Sequence, residues 1–466
     1  MTTRIEHDLL GERALPADAW YGIQTQRALD NFRTTGIPIS HFPELVQALA
    51  MVKSAAARAN QELGVLELRK AEAIQAACSD IRAGALNDQF VVDLIQGGAG
   101  TSTNMNANEV IANLALAKLG HPKGAYKHLH PNDDVNRSQS TNDAYLTAAC
   151  LSLQFAAQPL TEAIGTLGDA LQEKAVTFTD VIKMGRTQLQ DAVPMTLGQE
   201  FEAFAVNLGE DIDRLREAQQ LLCEINLGGT AIGTGLNAPA HYQALAVEHL
   251  AQLSGRPLVP ASHLIEATSD MGAFVFLSGV LKRFAIKLGK LCNDLRLLSS
   301  GPRTGLGEIT LPPVQPGSSI MPGKVNPVIP EAVNQTAYQV IASDLAVTMA
   351  AEAGQLQLNA MEPMIVYNLL NAMRMLEEAC HMLCSRCIKG IEANRETCAR
   401  HVERSIGVVT ALVPHIGYAN ATRIARQALQ SNATIRELVI AEELLDPQRL
   451  DALLTPQAML APMTEA

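Results

Sequence analysis

Apolar residues recur at alternating intervals of three and four through the middle of the chain, the spacing of a helix that buries one face. Leu160, Ile164, Leu167 and Leu171 form one stripe, and Leu197, Phe201, Phe204, Leu208, Ile212 and Leu215 form a second. Leu277, Leu281, Phe284, Leu288, Leu291 and Leu295 are spaced 4, 3, 4, 3, 4, and Leu369, Met373, Leu376, Cys380, Leu383 and Cys387 repeat that order. Sevenfold repeats held over several turns belong to long helices packed side by side. The pattern predicts a mainly α protein, helical throughout residues 145–395. Before residue 140 the pattern breaks into short helices and Gly- and Pro-rich turns, and a small helical segment begins near Thr397. The expected domains are 1–140, 141–396 and 397–466, with a mobile tail after Pro456.

Composition sharpens this. Only 4% of the 466 residues are aromatic and 18% are charged, which favours helix packed heavily on helix, including between subunits. A net charge of −12 argues against nucleic acid and anionic membranes as partners. A dianionic substrate must then be drawn in by local positive groups. No apolar run approaches the length of a bilayer span, and the opening MTTRIEHDLL lacks a basic region followed by an apolar one, so the expected location is cytoplasmic. The eight cysteines show no disulfide framework. Cys384 and Cys387 form a CxxC with Cys380 close by, but Cys380 and Cys387 lie on an apolar stripe, so the reading is core packing and no metal is expected.

The chemistry concentrates in the interruptions. Gly317-Ser318-Ser319-Ile320-Met321-Pro322-Gly323-Lys324-Val325-Asn326-Pro327 is a loop by its glycines and prolines, with two hydroxyls, a lysine, a carboxamide and no carboxylate. Five residues separate its glycines and Val325 follows the lysine, so it is not a phosphate-binding P-loop. It reads as a clamp for a small dianion whose charge grows during reaction. In Gln96–Asn106, three glycines allow close approach to a ligand and Thr101, Ser102 and Thr103 can cap the helix that follows. His130 and Asp133 in the next stretch read better as turn residues than as metal ligands. The glycine-rich Gly228–Asn237 has no strand before it, which argues against a dinucleotide fingerprint.

GSSIMPGKVNP resembles the signature of the aspartase/fumarase superfamily, lyases that eliminate a group from a succinyl skeleton to leave fumarate. The DLLG and PADAWYG segments near the start, the stretches containing Thr101 and Ser140-Thr141-Asn142, and Lys183–Pro194 extend the resemblance over nearly the whole chain. The resemblance implies a central bundle of five long helices, joined as twenty helices in the core of a homotetramer with active sites shared between subunits. It also implies an accessory anion site at His130–Asp133. Within the superfamily it points to the aspartases, which release ammonia from L-aspartate. Fumarases carry Ser where Thr141 stands and His where Gln188 stands. Expelling water needs a proton donor, whereas an ammonium can leave as neutral ammonia. The alternatives are a fumarase, disfavoured by Gln188 and Thr141 together, and an inactive superfamily member, opposed by the intact Ser318, Lys324 and Asn326.

By the same resemblance, Ser318 is the general base, assisted by Lys324. Thr101, Ser140, Thr141 and Ser319 grip the β-carboxylate, while Lys324 and Asn326 bind the α-carboxylate. Thr187, Gln188 and Asn142 surround the amino group, and Glu331 hydrogen-bonds Gln188. No cofactor is implied, because the substrate's own carboxylate is the electron sink.

Overall fold

The computed structural model describes residues 2–431 and 433–460. Among them, five helices reach 25 residues or more: Thr141–Thr177, Leu197–Leu221, Gly272–Leu298, Val328–Glu352 and Glu362–Arg386. The four apolar stripes are the buried faces of four of them. Every stripe residue is buried except Ile212, which is half-buried. Cys380, Cys384 and Cys387 are buried in the Glu362–Arg386 helix or at its end and form no disulfide, as a packing role requires.

Contacts divide the chain into two compact units. One takes the chain up to Glu162, Asp211–Ala285 and Tyr338–Glu377; the other takes Ala163–Glu210, Ile286–Ala337 and the chain from Glu378 onward. The first unit contains three helices shorter than those five, Pro43–Glu62, Leu68–Arg82 and Thr101–Lys118. Ala48, Ala56, Ala71, Ala77, Ala107 and Ala112 are fully buried on them, and such small side chains let helix backbones come close with few aromatics. In the second unit the segments after Arg395 enclose a small core of their own around Leu412, Ile424, Val439 and Leu450.

The structure corrects the expected pattern in two places. Helix is not continuous between 145 and 395, because Ile182–Thr187 and Gln190–Thr196 form an antiparallel hairpin. A second hairpin pairs Thr3–Asp8 with Gly11–Pro16 where only turns and short helices were expected. In none of these four strands do apolar and polar residues alternate strictly along the whole strand, so no period of two stands out. Of the tail expected to be mobile, Pro456–Leu460 is helical, and residues 461–466 lie outside the described residues.

The buried Glu109 ties the N-terminal segment to the Thr101–Lys118 helix. Its Oε2 accepts from Gly22 N–H (2.8 Å), Thr25 N–H (3.1 Å) and the Thr25 hydroxyl (2.6 Å), and its Oε1 from Gln24 N–H (2.8 Å). Burial pushes this carboxyl up to about 7 against the pull of those donors. An amide there would turn N–H2 toward other donors. Glu109→Gln is therefore expected to keep its helical circular dichroism while losing roughly 1–3 kcal/mol in urea unfolding, and an unchanged midpoint would count against this anchor.

Candidate active site

In the first unit, two helices begin side by side. Gly100, at φ +88°, precedes the Thr101–Lys118 helix, and a Cβ there would lie 2.5 Å from the Tyr145 ring of the Thr141–Thr177 helix. Glycine is needed at this position for both its φ and its missing side chain. The two helix starts are also joined by Asn104 Nδ2, which donates to Thr141 Oγ1 at 3.2 Å. Helix N-termini present unpaired N–H groups and favour anions. Thr101 Oγ1 donates to the Gly98 carbonyl at 2.7 Å, so its hydroxyl has to turn to meet a ligand.

Asp143 holds this corner in place. It is fully buried, and its Oδ1 accepts from Ser140 N–H (2.8 Å) at the start of its own helix. Its Oδ2 accepts from Gly228 N–H (2.9 Å) and Thr230 N–H (3.1 Å), which brings the glycine-rich segment against the helix. Burial raises this carboxyl, opposed by the three backbone donors and by the charge of Lys53. Asn142 Nδ2 donates to the Ala231 carbonyl (2.7 Å), so the amide's oxygen remains as an acceptor. Ser140 Oγ accepts from Asn142 N–H at 3.3 Å.

Beneath Thr141 lies a fully buried lysine. Lys53 Nζ donates to Asn104 Oδ1 (2.7 Å), Asn136 Oδ1 (2.8 Å) and Gln139 Oε1 (2.9 Å). Burial pushes it down to about 7, opposed by the charge of Asp143. Nearby, His130 Nδ1 accepts from Asn132 N–H and Asp133 N–H, in keeping with the turn reading. His130 also borders a cavity of about 650 Å³ that reaches Arg27 and Ser102.

The second unit carries the loop and the hairpin. The loop is pinched at its base, because a Cβ on Gly317 would lie 1.6 Å from the Lys324 carbonyl oxygen. Inside the pinch, Ser318 Oγ accepts from Ile320 N–H (3.3 Å) and Met321 N–H (3.2 Å). Two donors on one hydroxyl oxygen favour its anionic form. Ser319 and Lys324 are exposed, and Ser318 and Asn326 are half-buried. At the hairpin tip, Gln188 and Leu189 have φ of 52° and 64°, the left-handed pair of a two-residue turn, and Thr187 and Gln188 are exposed.

A buried ion cluster anchors that hairpin. Glu308 is 0% exposed and meets Arg186 Nη1 at 2.8 Å, Lys183 Nζ at 3.0 Å and His401 Nδ1 at 3.1 Å. Lys183 also reaches Glu200 at 2.6 Å. Burial pushes the Glu308 carboxyl up, but Lys183, Arg186 and His401 outweigh it and hold it below the usual range.

The sequence-expected residues thus fall into two groups: Thr101, Ser140, Thr141 and Asn142 in the first unit, and Thr187, Gln188, Ser318, Ser319, Lys324, Asn326 and Glu331 in the second. Gln188 and Glu331 are both exposed, and no hydrogen bond joins them among the described residues of the single chain. Sequence reading missed Lys53 and Glu308, and gave no separate role to Asn104 and Asp143, which lie in two stretches that it had marked. The signal for Lys53 was a lone lysine in the apolar Leu49-Ala50-Met51-Val52-Lys53-Ser54-Ala55-Ala56-Ala57.

Residues 11–342 match the family described as Lyase, and residues 408–461 match Fumarase C C-terminus. A protein of Pseudomonas aeruginosa named aspartate ammonia-lyase is 64% identical over 99% of this chain and 98% of its own. The aspartate ammonia-lyase of Escherichia coli is 53% identical over 99% and 97%. The crystal structure of a fumarate lyase:delta crystallin from Brucella melitensis bound to cobalt superposes with a TM-score of 0.97 at 58% identity, covering 99% of this chain and all of that one. A class II fumarase from Schistosoma mansoni gives a TM-score of 0.93 at 34% identity, over 98% and 99%.

The Glu308 cluster gives a pH-dependent expectation. A carboxyl held below its unfolded value adds stability above that value and loses it as pH falls through the folded one. Glu308→Gln should cost about 3 kcal/mol near neutral pH. Its deficit against the wild type should shrink as pH falls below the ordinary carboxyl value of 4.5. Urea unfolding across the acid range checks this; a deficit that stays constant with pH would deny that Glu308 acts as an anion.

Proposed function

The chain belongs to the lyase family of the aspartases and fumarases, and we propose that it eliminates ammonia from L-aspartate to give fumarate. It is a carbon–nitrogen lyase. The observation that carries the choice of reaction is full-length identity of 64% and 53% to aspartate ammonia-lyases against 34% to a class II fumarase. Gln188 and Thr141 agree with that choice.

The reaction is an anti-elimination. Ser318, as an alkoxide, takes a proton from the carbon beside the β-carboxylate and becomes a neutral hydroxyl. The electron pair left behind is held as an aci-carboxylate, then forms the carbon–carbon double bond as the C–N bond breaks and neutral ammonia departs. The two N–H groups at Ser318 Oγ support the alkoxide, and closure of the loop over substrate would add to it by excluding water. Thr101, Ser140, Thr141 and Ser319 bind the β-carboxylate, with support from two adjoining helix starts. Lys324 and Asn326 take the α-carboxylate. Asn142, whose free amide oxygen has the polarity to accept from an ammonium, joins Thr187 and Gln188 around the amino group. Glu331 orients Gln188 when the site is assembled.

We read the working form as a homotetramer whose active sites combine residues of several subunits. Val206, Phe276, Ile286, Tyr338, Leu345 and Met349 are exposed on three of the long helices of the single chain, a large apolar area for helices to leave uncovered. The division into 1–140, 141–396 and 397–466 belongs to the same reading. So does a cytoplasmic location, which eight free thiols fit; no helix among the described residues is long and apolar enough to cross a membrane.

Ultraviolet absorbance of fumarate is expected to rise with L-aspartate and not with L-malate; the reverse would make the chain a fumarase. Ser318→Ala should lower turnover by roughly 10³-fold or more with the assembly intact, and near-normal turnover would remove Ser318 as the base.

A further inference from the structure

Lys53 sits mid-helix in Pro43–Glu62 among buried alanines, and among the described residues it has no carboxylate at ion-pair distance. Its three protons all go to amide oxygens, on Asn104, Asn136 and Gln139. An ammonium donates and cannot accept, so each amide must turn its oxygen inward and its nitrogen away. The Asn104 nitrogen then has two acceptors, Asn136 Oδ1 at 3.1 Å and Thr141 Oγ1 at 3.2 Å, which stop the amide from rotating. Asn136 is fixed in the same sense, since its Oδ1 also accepts from Asn108 Nδ2 (3.1 Å) and its Nδ2 donates to the Gln139 carbonyl (3.1 Å). A hydroxyl whose oxygen already accepts keeps its proton to give, and Thr141 Oγ1 donates to no group among the described residues.

We infer that Lys53 is a positioning residue: acting through Asn104, it sets the Thr141 hydroxyl as a hydrogen-bond donor and so makes this end of the site select a carboxylate. The inference rests on the proposed placement of a substrate carboxylate at Thr141. It assigns Lys53 no contact with substrate and no proton transfer. A lysine buried only for packing would not care which way Thr141 points; a relay would.

The experiment measures binding of succinate, a dicarboxylate that cannot be deaminated, by titration calorimetry, with KM and kcat for L-aspartate alongside. Thr141→Val should weaken succinate roughly tenfold, the worth of a hydrogen bond to a charged group. Lys53→Met should weaken it to a similar extent in the wild type, yet by less than about twofold when Thr141 is already Val. Asn104→Asp covers the case in which Lys53→Met fails to fold. Its carboxylate pairs with Lys53 but can only accept from Thr141, so the hydroxyl reverses and KM should rise about tenfold. Additive losses from Lys53→Met and Thr141→Val, or wild-type affinity in Asn104→Asp, would overturn the relay. Wild-type protein that binds succinate but leaves aspartate untouched would sink the reaction and not the relay.

Discussion

A buried carboxylate that has given up water must be met by donors fixed in place, and Asp143 sets this condition for the corner that holds Ser140, Thr141 and Asn142. Its donors are one N–H from its own helix start and two from a segment 85 and 87 residues further on. Leaving any of them unmatched would cost more than a surface hydrogen bond returns. The helix start, the glycine-rich turn and the orientation of Asn142 are therefore one unit of structure. Lys53 adds the opposite charge without touching Asp143, so the corner holds a cation and an anion that are each satisfied by neutral dipoles.

The same economy appears at Glu308, where one carboxylate meets Lys183, Arg186 and His401. Arg186 precedes Thr187 and Gln188, so this cluster fixes the root of a turn whose tip remains exposed. Rigid roots and exposed tips suit groups that must meet a ligand.

Backbone strain gathers in these places. Ten residues other than glycine have positive φ among the described residues, and Ala99, Ser138, Gln188, Leu189, Thr230 and Asn237 lie in stretches that the sequence already marked as chemical or family-like. Left-handed backbone at non-glycine residues costs energy that the surrounding structure must offset. It is concentrated away from the long helices that make the scaffold.

The long helices, the core role of the cysteines and the Ser318 loop could all be read from the chain, because a helical face is written every three or four residues and a loop by its glycines and prolines. Ser318, Thr141 and Gln188 were singled out as candidates through a motif. The hairpin at Ile182–Thr196 was not, since Gln188 and Leu189 are not the residues that usually announce a left-handed turn. Nor were the partners of Lys53, which lie 51, 83 and 86 residues away. A lone lysine in an alanine-rich helix is compatible with an exposed face or a buried network. Only the folded chain decided, because the cost of burying an ammonium depends on which acceptors the tertiary structure brings to it.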